Sequence, residues 1–406
     1  AAVKKNGGEW LLSGGARIGR GSISYPEGQI RAAGVNGHLV LLGSVTHPRI
    51  RFDVNGKEFQ YGRTSMGVMM ARGSISVDTL LLDTLTARFG ESGSAQIQGT
   101  ILIDSLSRIL TRPGTTARLS LDQVPITAVD PLIPSLGLVG GSASGQAYLS
   151  TTTAGLRASG TIYVSDAKVN IVDCDPALGP VDLALGFNGD SVIVRSLTGK
   201  WKNGSFQGSG FVRVGSSGIL DGRGTLSARR LRLECADYDL GTESVRLQLS
   251  PRDGKFVLSG TVELDDSKYV QDISLPDLIE QIQNAGISKP TADPNPILES
   301  IGLQVAVDLG DNLSVESNVG KARLEGRVTL AGTLAHPSFV GTISIVDGHV
   351  YYLDRRFAIQ EGSIRQFDPT QINPLIDLKA ATTIVLQDTG GIDQFGDDAP
   401  QFRERR

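Results

Sequence analysis

The sequence is short of most things that would mark an enzyme or a compact multi-core protein. Its 406 residues hold two cysteines, four histidines, three methionines and two tryptophans, and aromatics make up only 5%. Two cysteines, Cys174 and Cys235, exclude a disulfide-dense scaffold and a cysteine-based zinc site. No stretch approaches 18 apolar residues, so no segment reads as a helix spanning a bilayer. Ala1 to Gly8 has no hydrophobic region and no initiating Met, so it does not fit a signal peptide and reads as a cut inside a longer protein. A basic surplus is missing too: 39 Lys and Arg face 43 Asp and Glu, which gives no support to nucleic-acid binding. Helical periodicity is scarce. Its best instance is Leu275 to Ala285, with Ser274 as N-cap, Gly286 as the stop and Leu275, Leu278, Ile279 and Ile282 as an apolar stripe. A Pro-rich stretch, Lys289 to Pro296, follows as a linker.

Glycine and alternation are what the chain has in quantity. Its 50 glycines exceed the usual share of about 7%. Ala322, Leu324, Gly326, Val328, Leu330, Gly332 and Leu334 are small or apolar at every second place, with Arg323, Glu325, Arg327 and Thr329 between them. That is a half-buried strand or strand pair with one dry face. Leu303 to Leu309, Val181 to Phe187, Val245 to Leu249 and Phe256 to Leu264 carry the same signature. One-sided strands point to antiparallel sheets rather than to the continuous apolar runs of parallel ones.

Internal repeats organise these strands. VNGHLVLLGSVTHPRI (35–50) aligns without a gap with LEGRVTLAGTLAHPSF (324–339). The stretch 145–171 aligns likewise with 326–352, so that GTIYVSDAKV falls on GTISIVDGHV. A second element pairs DTLLLDTLTARF (78–89) with DSVIVRSLTGKW (190–201). The spacing between copies varies, which fits strand pairs added side by side to one sheet rather than a short-period β-helix. Glycines within such strands let them bend or bulge.

Residues that could carry chemistry read more simply as structure. His47 and His336 share one repeat position, before proline, in a turn, and no His, including His38 and His349, has an acid or cysteine at metal-ligand spacing. Asp265-Asp266 and Asp397-Asp398 are neighbours along the chain, which points them to opposite faces rather than across a cleft. Gly208-Ser209-Gly210 lacks the strand-to-helix setting of a phosphate loop or nucleophile elbow. Cys174 and Cys235 are able to pair in an oxidising compartment, but nothing in the sequence brings them together. Lys200, Trp201 and Lys202 suit a lipid interface or, more simply, a cross-strand aromatic; Arg229, Arg230 and Arg232 read as one strand with a basic outer face. No cofactor, metal or catalytic centre is expected. Many one-sided strands with almost no helix leave an apolar face that must be buried somewhere. Its small and aliphatic lining suits a groove with room for acyl chains.

The C-terminal third carries a resemblance. Leu324, Gly326, Leu330, Gly332, Thr333, Pro337, Gly341, Ile343, Ile345, Gly348, Phe357, Ile359, Gly362, Ile364, Pro374, Asp377 and Ala380 keep the order and spacing of a motif. It resembles that of the TamB C-terminal domain family, in the AsmA-like group of bridge-like lipid-transfer proteins. The resemblance implies a mainly β fold, an elongated curved antiparallel sheet (a β-taco with a hydrophobic groove) built from irregular AsmA/TamB-type repeats. It implies repeat regions at 1–140 and 141–272, a helix-and-linker insertion at 273–300, the motif-bearing region at 301–387 and a polar tail at 388–406. It further implies a non-enzymatic bridge in the periplasm of a Gram-negative-type bacterium. Such a bridge conducts phospholipid and assists outer-membrane protein and autotransporter assembly. Its partners are phospholipid acyl chains, a TamA-like outer-membrane barrel reached through a segment missing here, and the inner membrane reached through a missing N-terminal anchor. Leu324, Val328, Leu330, Ile343, Ile345, Val305 and Val307 are the expected groove lining; a structural or adhesive surface protein is the alternative.

Overall fold

A computed structural model describes residues 2–6, 9–25, 30–61, 64–103, 113–128, 137–153, 155–170, 174, 177–215, 218–252, 255–270, 296–352, 355–368, 374–386 and 403–405. The expected helix at Leu275 to Ala285 lies outside the described residues. The chain divides into two compact units: residues 1–228 with 248–251, and residues 229–247 with 252–406.

The first unit is an antiparallel meander. β1 (Ala2–Asn6), β2 (Glu9–Tyr25), β3 (Ile30–Ser44), β4 (Pro48–Tyr61), β5 (Thr64–Ile75), β6 (Thr79–Phe89) and β7 (Gly93–Leu102) follow in order. β8 (Thr116–Pro125), β9 (Leu138–Thr152), β10 (Gly155–Val169), β11 (Leu178–Gly189), β12 (Ser191–Trp201) and β13 (Gly204–Gly215) continue it. Each of these strands pairs with the next, always antiparallel. Neighbours in sequence are neighbours in space, most of them joined by short turns and three by longer connections, 103–115, 126–137 and 170–177. β14 (Gly218–Arg229) completes the run.

The second unit departs from this pattern at one place. β15 (Arg232–Glu234) pairs antiparallel with β16 (Tyr238–Arg252). β17 (Lys255–Val270) then runs parallel to β18 (Ile301–Asp308) and, further along, to β19 (Leu313–Ser317). A parallel pair needs a crossover of a dozen or more residues, and the chain from 271 to 300 supplies that length. Within it α1 (Pro296–Glu299) is a single turn ahead of β18. β18 and β19 act as one broken strand, since both pair antiparallel with β20 (Gly320–Gly332). Antiparallel pairing resumes through β21 (Pro337–Tyr352), β22 (Arg355–Gln366) and β23 (Leu375–Ala381). β24 (Ile384–Leu386) pairs with β25 (Arg403–Arg405) apart from the rest. The chain is thus mainly β on antiparallel sheet, as the alternation predicts, with one parallel step that it does not.

The repeats are repeats of backbone geometry. Gly145 faces Ile162 across β9–β10 as Gly326 faces Ile343 across β20–β21, and Gly160 faces Ala147 as Gly341 faces Val328. Gly160 and Gly341 have φ of 129° and 143°, a region open essentially to glycine alone. The His-Pro turn is shared as well. Gly332 has φ 81°, and a Cβ there would run into the His336 carbonyl oxygen. Thr333 closes the loop by donating its N–H to the His336 carbonyl at 3.2 Å and accepting the His336 N–H on Oγ1 at 3.1 Å.

Candidate apolar binding face

Directly paired residues in an antiparallel ladder share a face. Following the pairs from strand to strand therefore traces rows that run across the sheet. In the first unit one such row takes one residue from each strand of β2 to β13. It comprises Ile18, Gly37, Val54, Ala71, Leu85, Ile97, Leu119, Ala147, Gly160, Phe187, Val192 and Val212. No polar side chain interrupts it. Beside it lies a second row: Gly56, Met69, Ala87, Ala95, Leu121, Gly145, Ile162, Leu185, Val194 and Gly210. A third runs on the other side from Ala16 through Phe52, Leu82 and Leu149 to Gly189, and it too is apolar or glycine throughout. Ile97, Leu119, Ile162, Leu185 and Val192 in these rows are half-buried, neither sealed in a core nor open to water.

The opposite face is polar. Arg17, His38, Asp53 and Arg72 form one of its rows, and Arg72 donates to Asp53 Oδ2 at 2.8 and 3.0 Å. Gln96, Ser120, Gln146 and Thr161 form another. At one end of the apolar face a cavity of about 540 Å³ opens among the turns. Leu149, Ala158, Phe187 and Val192 form its floor, and Thr152, Asp190 and Ser191 belong to its polar lining.

The second unit repeats the arrangement and holds all seven expected lining residues on one face. Gly260, Val305, Leu330 and Phe339 make one row, and Val262, Val307, Val328 and Gly341 the next. Gly326, Ile343, Ile364 and Ile376 follow, then Leu313, Leu324, Ile345, Gly362 and Leu378. Burial on this face is graded. Val305, Val307, Leu324 and Val328 are 3 to 8% exposed, Leu330, Ile343 and Ile345 are half-buried, and Ile376 on β23 is 61% exposed. Gln366, at the end of the Val307–Val328–Gly341 row, is a buried polar residue whose Nε2 donates to the Asp368 carbonyl at 2.5 Å.

The polar face of this unit is neutralised pair by pair. Arg327 reaches Asp308 at 2.6 Å, Arg323 reaches Asp347 at 2.8 Å, and Lys268 reaches Glu316 at 2.6 Å. Lys321 also pairs with Glu316. The hydrogen bond from Arg327 holds the Asp308 carboxyl below its ordinary range, helped by the N–H of Gly310. Lys268 and then Lys321 do the same for Glu316. These pairs are surface-exposed, so each contributes little stability alone. Their consequence is that one face of the sheet is wet and the other dry.

The residues with chemical potential fall as the simpler readings have it, with two corrections. His47 and His336 sit in exposed hairpin turns, although His336 Nε2 has Glu299 at 4.0 Å, a partner remote in sequence. His349 contacts the Tyr351 hydroxyl at 3.0 Å and Arg356 at 3.2 Å. Among the described residues no three His, Cys, Asp or Glu side chains come together to hold a metal. Trp201 is 5% exposed and ends β12 opposite Gly204, as Phe89 ends β6 opposite Gly93. It is a buried strand-end aromatic, not a lipid-interface residue. The arginine cluster does not form one strand: Arg229 ends β14, Arg230 turns with φ 50°, and Arg232 opens β15. Positive φ at Arg230 breaks the alternation, and Arg232 is engaged by Asp239 at 2.5 Å and Asp266 at 3.4 Å. Cys174 and Cys235 are both disulfide-bonded rather than free.

No helix among the described residues is long and apolar enough to cross a membrane. No curated protein and no solved structure matches the chain. A family model does match: that of the TamB C-terminal domain, over residues 195–397, half of the chain. Its span covers the last strands of the first unit and nearly all of the second, including the graded apolar face, and the chain belongs to the TamB C-terminal domain family.

Proposed function

We propose that the chain is part of a non-enzymatic envelope bridge that conducts phospholipids between inner and outer membrane, with their acyl chains lying along the apolar rows. The observation that carries this reading is the unbroken row from Ile18 to Val212 with its two flanking rows. At about 4.8 Å per strand such a row extends about 50 Å. An acyl chain laid on it gains about 0.8 kcal/mol for each CH₂ removed from water. The half-buried state of Leu85, Ile97, Leu119, Ile162, Leu185 and Val192 suits this, because a sealed core leaves a ligand nothing to cover. Rows without a polar interruption let a chain slide without crossing a desolvated hydrogen-bonding group. Assistance to outer-membrane protein and autotransporter assembly, through a TamA-like barrel, is the companion role we infer from family membership. The periplasm is the place where both roles meet.

The test is lipid extraction and mass spectrometry of the purified chain beside Ile162→Asp. Ile162 lies mid-row and is half-buried, so a carboxylate there can be hydrated while the fold survives. The reading expects phospholipid bound to the parent chain and depleted in the folded variant. An equal lipid load in both, or none in either, counts against it.

A further inference from the structure

The apolar face of the second unit carries one cluster of buried aliphatic side chains, centred on β18. Val305, Val307 and Leu309 are successive dry-side residues of β18 and its end, and Val328 stands opposite Val307. All four are buried, at 3, 8, 6 and 6% exposure. Leu258, Val262, Leu330, Phe339 and Ile343 pack against them. This is a run of adjacent buried valine and leucine side chains; the first-unit rows hold buried Leu82, Ala87 and Ala147 among half-buried residues such as Ile97, Leu119 and Leu185, and β23 carries exposed Ile376 and Leu378.

Leu309 is the last dry-side residue before the break between β18 and β19. Gly310 takes φ 65° and donates its N–H to Asp308 Oδ1 at 3.2 Å. Leu309 donates its N–H to the Gly326 carbonyl at 3.0 Å, which seats it beside the one position of that row lacking a side chain. Arg327 fixes Asp308 from the neighbouring strand at 2.6 Å. Alternation from Val305 and Val307 puts Leu309 on the dry face, and the strand breaks just beyond it, with an ion pair clamping the turn on the wet face.

We infer that Val305, Val307, Leu309 and Val328 form a constriction in the acyl path of the second unit, with Leu309 as the residue that sets its width. The inference rests on the lipid reading proposed above. Within the second unit it leaves the face of β21–β23 open to lipid and puts the narrow place at β18.

The experiment uses the chain loaded with a phospholipid bearing a diazirine in one acyl chain, photolysed, digested and mapped by mass spectrometry. The unchanged chain is expected to carry label on peptides of β7–β11 and β22–β23, with peptides of β18 spared. Leu309→Ala, shown folded by circular dichroism, is expected to raise label on β18 several-fold while leaving β7–β11 unchanged. Val305→Ala serves in its place if Leu309→Ala does not fold. Label on β18 of the unchanged chain equal to that on β7–β11 overturns the constriction while keeping the lipid reading. Unchanged β18 labelling in the folded variants overturns it as well. Absence of label everywhere overturns both.

Discussion

Val328→Asp probes the buried part of the dry face most sharply. Val328 is 6% exposed and stands between Val307 on β18 and Gly341 on β21. Removing its side chain from the apolar cluster forfeits about 1.5–3 kcal/mol of burial. The incoming carboxyl either ionises among aliphatic groups or takes up a proton and stays buried as an unsatisfied polar group, which costs a further 1–3 kcal/mol or so. The sum is about 4 kcal/mol, a large part of the roughly 5–15 kcal/mol that holds a domain together. With a urea dependence of about 2 kcal/mol per molar, the midpoint of the second unit's transition should fall by about 2 M. Ile345→Asp is the internal comparison. Ile345 shares the face but is half-buried, so its carboxylate can stay hydrated and the cost should be about 1 kcal/mol. Urea titrations followed by far-ultraviolet circular dichroism decide the matter. A Val328→Asp chain within about 1 kcal/mol of the parent, or an Ile345→Asp chain as damaged as Val328→Asp, would refute the graded burial on which the reasoning depends.

Other outcomes follow from the same geometry. Gly341→Ala should destabilise by about 1–3 kcal/mol in denaturant titration, since φ is 143° and the added Cβ would meet the Arg327 carbonyl at 3.1 Å. The Asp308 carboxyl is depressed by Arg327 and the Gly310 N–H, so its stabilising effect is present above its ordinary value of 3.8 and lost as pH falls through the lower folded value. Thermal scans from pH 7 to pH 2.5 should therefore show a steeper acid loss in the parent than in Asp308→Asn. His336→Ala, at an exposed turn position, should shift stability by no more than about 0.5 kcal/mol, and adding divalent metal should not change its melting relative to the parent. A maleimide reagent should label neither Cys174 nor Cys235 before reduction, because both are disulfide-bonded; prompt labelling of the unreduced chain contradicts that.

What the sequence shows and what it hides separate along physical lines. Alternation is local, so Ala322 to Gly332 announces β20 and Phe256 to Leu264 announces β17 without any partner in view. The His-Pro turn is legible for the same reason, because Gly332, Thr333 and His336 satisfy one another within a few residues. Period two also suffices to put Val328 and Leu330 on one side of β20. It cannot say what stands opposite. That Val328 meets Val307, and that Leu119 meets both Ile97 and Ala147, depends on register and on bulges such as the one between Leu82 and Leu85. The continuous rows, on which the lipid reading rests, are visible only once those registers are known. The parallel step at β17 is hidden for a related reason: direction is set by the long excursion after Val270, not by the strands themselves. The burial of Leu309 is legible in the alternation from Leu303, but the positive φ at Gly310 that ends the strand just beyond it is not. Arg229, Arg230 and Arg232 mislead as one strand because nothing in their spacing reveals the turn at Arg230.

The central claim is that the apolar rows carry phospholipid. The most direct measurement is transfer of a fluorescent phospholipid from donor to acceptor vesicles, with the parent chain and a folded Leu119→Asp, Ile162→Asp double variant added at equal concentration. Leu119 and Ile162 occupy adjacent rows of the first unit, so two carboxylates there place charge on both tracks. The account predicts that the parent chain accelerates transfer and that the double variant, folded to the same extent, does not. Transfer by the double variant at the parent's rate, or no acceleration by the parent, would contradict it.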